Sequence, residues 1–292
     1  MKTKAPTLRQ FQDRFPTEES CLEHLKLVRF GERHDCDKCG KDAKFYRVAK
    51  RRSYACEFCG HQIYPTAGTP FDRTRTSLRD WFFVMFQFCA SRNGVAAKEV
   101  ERQIGVTYKT AWRMCHEIRK YMAIVDGDEP IGGPFTTVEV DETIIGGYQR
   151  MGYGLDNKTI VLGMKQRGGK VVTRVVANRR SGELLPHVVS MVKAHTEVHT
   201  DELRSYGGLG TVKGYWHKQV NHSAGQYVCR DTGAHVQSIE GFWAQLKRGI
   251  NGTHIHVSPK HLPKYLGEFE FRHNRRHRPE TMLTELLVSF QR

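Results

Sequence analysis

No stretch of this 292-residue chain is apolar for long enough to cross a bilayer. The longest such run, WFFVMFQFCA from Trp81 to Ala90, falls well short of the roughly 20 residues a spanning helix needs. The N-terminal MKTKAPTLRQFQDRFPTEES also lacks the apolar core of a secretory signal, which predicts a cytoplasmic, nucleoid-associated protein with no membrane partner. Acidic residues are scarce: 31 Asp+Glu stand against 46 Lys+Arg, a formal net charge of +15. Neither half holds the excess alone, because there are 24 basic and 17 acidic residues up to Pro130 and 22 and 14 after it. A basic tail is thereby excluded and a polyanionic partner is favoured, although a solvated basic surface would give the same count. Cysteines number only eight. In a reducing compartment they point to metal ligands or buried thiols, not to a disulfide framework.

Four cysteines have an informative spacing. Cys36 and Cys39 stand in CDKCG and, after sixteen intervening residues, Cys56 and Cys59 stand in CEFCG. Each C-x-x-C-G turn aims two thiolates at one point, and the glycine permits the turn, so the pattern predicts one structural Zn²⁺ in a zinc ribbon. A pair of redox dithiols is the competing reading. The alternation of basic and aromatic residues in KFYRVAKRRSYAC predicts two short strands between the knuckles. So small a unit buries little, and the metal is expected to supply its folding energy. Cys21, Cys89, Cys115 and Cys229 have no such spacing and read as ordinary thiols.

Before the ribbon, Thr17 as N-cap and Gly31 as stop bracket one amphipathic helix. After it, residues 77–122 contain three helical stretches broken near Asn93-Gly94 and at Ile104–Thr107, the outline of a helix-turn-helix. In that outline the third helix turns Tyr108, Lys109, Thr110 and Arg113 toward a DNA groove and Ala111, Trp112 and Cys115 inward. A plain three-helix core is the alternative. AIVDGDEPIGGP then breaks the pattern as a linker. The expected organisation is an N-terminal helix (1–31), a zinc ribbon (32–68), a helical DNA-binding region (69–125), a linker (126–134) and a second domain (135–292).

In the second domain TTVEVDETII alternates as a strand, KTIVLGMKQ and GKVVTRVVAN follow as two more joined by the Arg167-Gly168-Gly169 turn, SGELLPHVVSMVKAH reads as a helix, TEVHTDE and YWHKQVNHS as two more strands, and the segment around Glu240 as the last helix. That order predicts a multidomain α+β chain whose mixed-sheet domain is ribonuclease H-like. Asp141 falls on the first strand, Asp201 just after the fourth and Glu240 on the helix. Three convergent carboxylates suit two divalent cations, Mg²⁺ or Mn²⁺, which together activate an attacking oxygen and stabilise a leaving one at a phosphodiester. Taken singly, each acid reads as a turn residue or cap, and Asp201 is placed to cap the segment that follows it. Glu139 shares the face of Asp141 and is its rival, lying deeper in the sheet, while Glu142 points the other way. Lys247 lies two turns from Glu240 on the same helix face, with Trp243 nearly beside them, whereas Phe242 and Leu246 enter the core.

CDKCG, CEFCG, GVTYKTAWRM, VEVDETIIGG, HTDELRSY and HVQSIEGFWAQLKRGINGTHIHVSPKHLPKYLGEFEFRHNRR together resemble, over nearly the full length, the zinc-ribbon-bearing insertion-sequence transposases of bacteria, which carry an ISXO2-like transposase domain and are related to Merlin elements. The resemblance implies an acidic-triad (DDE) transposase with Asp141, Asp201 and Glu240 as catalytic metal ligands and Lys247 as the accompanying basic residue. It implies binding of terminal inverted repeats, hydrolysis exposing a 3′-hydroxyl, transfer of that end into target DNA, and at least a homodimer for synapsis. Relatives often carry asparagine where this chain has Gln237, so Gln237 stays open as a contributor. Arg248, Arg275 and Arg276, with HNRRHR at 273–278, His254, His256 and Lys260, are expected at phosphates. A zinc-ribbon regulator with an inactive carboxylate domain, and a nuclease without strand transfer, are the alternatives.

Overall fold

The structure, a computed structural model, describes residues 5–146 and 158–289. It divides into two compact units, one of Met1–Ser91, Val95–Val125 and His277–Arg292, the other of Arg92–Gly94 and Asp126–Arg276.

In the first unit, α1 (Leu8–Arg14) and α2 (Glu18–Phe30) each start on a threonine, Thr7 and Thr17, whose hydroxyl accepts the N–H three residues on. Gly31 ends α2, as the sequence predicts. Four short antiparallel strands follow in chain order: β1 (Arg33–Asp35), β2 (Asp42–Arg47), β3 (Tyr54–Cys56) and β4 (Gln62–Ile63). Their apolar interior is little more than Ala43, Phe45, Tyr54 and Ile63, and the Tyr54 hydroxyl donates to Glu23 of α2 at 2.7 Å. Three helices come next, α3 (Leu78–Ala90), α4 (Ala97–Ile104) and α5 (Tyr108–Asp126). α3 buries Trp81, Phe82, Val84, Met85 and Phe88, which line more than one side of it and make it the central helix. Gly105, in the left-handed conformation, ends α4 three residues before α5 begins.

The second unit is a five-stranded mixed sheet: β5 (Thr137–Gly146), β6 (Lys158–Gln166), β7 (Val171–Val176), β8 (Thr196–Thr200) and β9 (Tyr215–Gln219), in the order β7-β6-β5-β8-β9. β5, β6 and β7 are mutually antiparallel, and β8 runs parallel to β5 and to β9. Strand alternation makes two cores. Val138, Val140, Leu162 and Val198 pack with Leu184 and Val188 of α6 (Ser181–Met191) on one face. Val161 and Val171 pack with Phe242 and Leu246 of α7 (Gln237–Gly249) and Phe269 of α8 (Leu262–Asn274) on the other.

Regular structure does not end at the helix around Glu240, as the sequence predicts. α8 follows, and its period is masked because Glu268, Glu270 and Arg272 interrupt the aromatics. All three are buried: Glu268 pairs with Arg272 at 3.2 Å, and Glu270 accepts the Thr173 N–H at 2.7 Å. A last helix, α9 (Met282–Val288), buries Leu283, Leu286 and Leu287. It belongs to the first unit, where Tyr121 donates to the Leu286 carbonyl at 2.8 Å and His24 meets that of Leu287 at 3.0 Å. The second unit therefore stops at Arg276, short of the 135–292 span that the sequence predicts.

Candidate active site

The parallel pair β5 and β8 fixes the centre of the site. Thr137, Val138 and Glu139 lie opposite Glu197, Val198 and His199. Asp141 lies two residues further along β5, and Asp201 follows the last residue of β8, near enough for its charge to bear on Asp141. Burial first, and then the charges of Glu142 and Asp201, push the Asp141 carboxyl up to about 7. Burial also raises Asp201, with Glu142 and Glu202 adding to it and the Leu203 N–H, which donates to Asp201 Oδ1 at 3.0 Å, opposing it. Glu142 is thus a third acid felt by both aspartates. Its side chain is buried, bound by Arg179 and by the Tyr206 hydroxyl at 2.6 Å.

α7 is tied over these strands by Glu139, not left to pack by its apolar face alone. Glu139 Oε2 accepts the Ser238 and Ile239 N–H groups at 2.9 and 3.0 Å, capping the helix from across the sheet, while Oε1 takes Arg167 Nε at 2.7 Å. Lys165 adds a bond to the Ser238 carbonyl at 2.6 Å. Burial alone would raise the Glu139 carboxyl, but the Ser238, Arg167 and Ile239 hydrogen bonds outweigh it and hold it below the usual range. With both oxygens so engaged, Glu139 is a positioning residue. Glu139→Ala is expected to cost about 2–4 kcal/mol, the loss typical of stripping one partner from a buried pair, reduced because Arg167 is part-exposed. Denaturant unfolding checks it, and an unchanged midpoint would remove the cap from the account.

The helix period sets Trp243 near the face of Glu240 and Lys247, and its indole N–H donates to Asp141 Oδ2 at 3.0 Å. Gly163 makes room for it. This residue pairs with Asp141 across β5 and β6, and a Cβ on it would lie 2.4 Å from the Trp243 ring. Glu240 stands one turn earlier on α7, 46% exposed, with Oε1 3.8 Å from His222 Nε2. Asp141 and Asp201 are brought within reach of each other's charge, but Glu240 does not close on them: among the described residues only Cys36, Cys39, Cys56 and Cys59 form a set of three or more possible ligands within 4.8 Å of one another.

Those thiols have the dimensions of a zinc centre. Cys36 and Cys59 Sγ are 3.6 Å apart and Cys39 and Cys56 Sγ 3.9 Å, against about 3.8 Å for the edge of a ZnS₄ tetrahedron with 2.3 Å bonds. The two knuckles repeat one geometry. Gly40 and Gly60, at φ 67° and 71°, donate back to the Cys36 and Cys56 carbonyls.

The ISXO2-like transposase domain matches residues 131–274 and the transposase zinc-ribbon domain residues 16–62. An uncharacterized protein in transposable element ISH50 of Halobacterium salinarum is 27% identical over 88% of this chain and 91% of its own length. An uncharacterized transposase-like protein of Haemophilus influenzae is 35% identical over 36% of this chain and 81% of its own. The chain belongs to the ISXO2-like transposase family.

In this transposase the residues expected at DNA fall into two groups. Tyr108, Lys109 and Arg113 of α5 are exposed and Thr110 is half-buried, and Lys247 and Arg248 of α7 are exposed. Arg275 and Arg276 are committed to the protein instead. Arg275 binds Asp126 and stacks on Phe271, and Arg276 donates to the Gly169 and His273 carbonyls at 3.0 and 2.7 Å. Trp112 corrects another expectation: Ala111 and Cys115 are buried, but Trp112 is 37% exposed and stacks on His116. No helix among the described residues is long and apolar enough to cross a membrane.

Proposed function

We propose that this transposase cuts the ends of a DNA element and joins them to target DNA with Asp141, Asp201 and Glu240 as its acidic triad. The observation that supports the reading is the pair of desolvated carboxylates at the ends of the paired strands β5 and β8, Asp201 raising Asp141, with α7 bearing Glu240 and Lys247. The order β7-β6-β5-β8-β9, with one antiparallel and one parallel neighbour to β5, supports a ribonuclease H-like domain. The α4-turn-α5 arrangement supports a helix-turn-helix presenting Tyr108, Lys109, Thr110 and Arg113.

The donor set fits hard divalent cations. Asp141 is desolvated beside other acids and meets a single side-chain donor, Trp243, so added positive charge relieves it. Asp141, Asp201 and Glu240 would hold two Mg²⁺ or Mn²⁺ ions, which would supply an activated water and charge stabilisation at the leaving oxygen. Trp243 and Gly163 orient Asp141, Glu139 and Arg167 hold α7 in place, and Lys247 and Arg248 grip backbone phosphate. Synapsis of two ends makes the working form at least a dimer.

The test incubates the purified protein and Mg²⁺ with duplexes tiling the DNA that flanks its gene. Cut and joined ends are expected, and Asp201→Ala should bind the same duplexes without cutting. Ends bound but never cut by the wild type would leave a DNA-binding regulator, and ends cut but never joined a nuclease.

A further inference from the structure

The chain beyond α7 carries a feature with no role in the site described. Ile250–His254 continues α7 as one wide turn, and Ile255 follows at φ 63°, ψ −52°, with the His256 N–H donating to the His254 carbonyl at 2.6 Å. This is a γ-turn of the rare kind with positive φ, and it is strained for any residue with a Cβ. A β-branched residue is among the worst suited to it. The side chain gains no packing in return: Ile255 is 82% exposed. Its flanks are anchored, His254 by an edge contact with Tyr265 at 4.8 Å between ring centres and Val257 by burial. An apolar tip is therefore held outward on a fixed base.

The tip follows directly on the helix that carries Glu240 and Lys247. Glu240, Ala244, Lys247 and Arg248 are exposed along α7, and Asn251 and Ile255 are exposed beyond it. From Gly241 to Gly267 the chain carries Lys247, Arg248, Lys260 and Lys264 and no Asp or Glu. Such a surface suits a phosphate backbone, and an exposed isoleucine within it suits the apolar faces between stacked bases.

We propose that Ile255 is a wedge that enters the base stack of DNA held along α7, unstacking a step beyond the reacting phosphate. The inference rests on the DNA reading of this site. It adds to that reading a distortion of the substrate and the residue that makes it.

The experiment places 2-aminopurine, which brightens when unstacked, at successive positions in the duplexes that the wild type binds, and compares Ile255→Leu, Ile255→Ala and Ile255→Gly. The wild type and Ile255→Leu are expected to brighten one position, whereas Ile255→Ala and Ile255→Gly lose that signal yet bind within a few-fold of wild type. Ile255→Gly should also melt no lower than wild type, because glycine adopts this backbone without strain. A signal unchanged in the alanine and glycine variants would overturn the wedge while leaving the transposase reading intact. A lower melting temperature for Ile255→Gly would overturn it too, by making the side chain a packing element. Failure of the wild type to bind any duplex would sink the DNA reading, and the wedge with it.

Discussion

Asp141→Asn is expected to make the protein more stable at pH 8 and to abolish DNA cutting. The carboxyl is pushed from 3.8 to about 7 by burial and by its acidic neighbours Glu142 and Asp201. A folded-state value above the unfolded one means that the native chain holds the proton more tightly, so ionisation opposes folding. The favourable contribution of the protonated group is complete below 3.8 and is lost as pH rises toward about 7. At about 1.4 kcal/mol per pH unit, and with allowance for relaxation of a part-exposed group, the cost at pH 8 is about 2–4 kcal/mol. Asparagine keeps the shape and accepts the Trp243 N–H while removing the charge. The melting temperature at pH 8 should therefore rise by roughly 5 °C, and the difference from wild type should vanish near pH 4. In the proposed mechanism the same change removes a ligand charge for the cations, which is worth several kcal/mol of transition-state stabilisation, or roughly a thousandfold in rate. Thermal melts at the two pH values and a cutting assay check both halves. A variant less stable than wild type at pH 8 would contradict the burial cost assigned to Asp141.

The other large effect is expected at the cysteines. The ribbon's apolar interior is four side chains, too few to offset the ordering of about thirty residues at ~1–2 kcal/mol each. Zinc binding in comparable small units is worth about 10–16 kcal/mol. Chelation, or Cys39→Ser, should thus unfold β1–β4 outright and release Tyr54 from Glu23, while the mixed-sheet unit keeps its own two cores. Metal content should fall from one zinc per chain to none. Amide exchange should collapse in β1–β4 and persist in β5–β9. Protection retained in the ribbon of the metal-free protein would show that hydrophobic packing suffices there.

What could be foreseen from the sequence was local. Cysteine spacing and the glycine after each knuckle define the zinc centre within one short segment, period-two alternation gives β5 and sets Asp141 on it, and the apolar runs on either side of the Arg167-Gly168-Gly169 turn give β6 and β7. Glu139 was placed on the face of Asp141 and deeper, and it lies there. Its cap on α7 was not legible, because the N–H groups it accepts come from about a hundred residues away. The Trp243–Asp141 bond and the room left by Gly163 are of the same kind. Arg275 looked like a free cation because its partner, Asp126, is 149 residues distant. Trp112 was expected inside because its size favours burial, but the helix spends its inward positions on Ala111, Met114, Cys115 and Ile118.

Because α9 belongs with the first unit, that unit is completed only after the second has been synthesised. Its helical part lacks Leu283, Leu286 and Leu287 until the whole of Asp126–Arg276 has been made, whereas domains usually fold in the order they emerge. Chains that terminate before α9 would carry the ribbon and α5 without the helix that completes their core. Truncation anywhere in the second unit is thereby felt in the first.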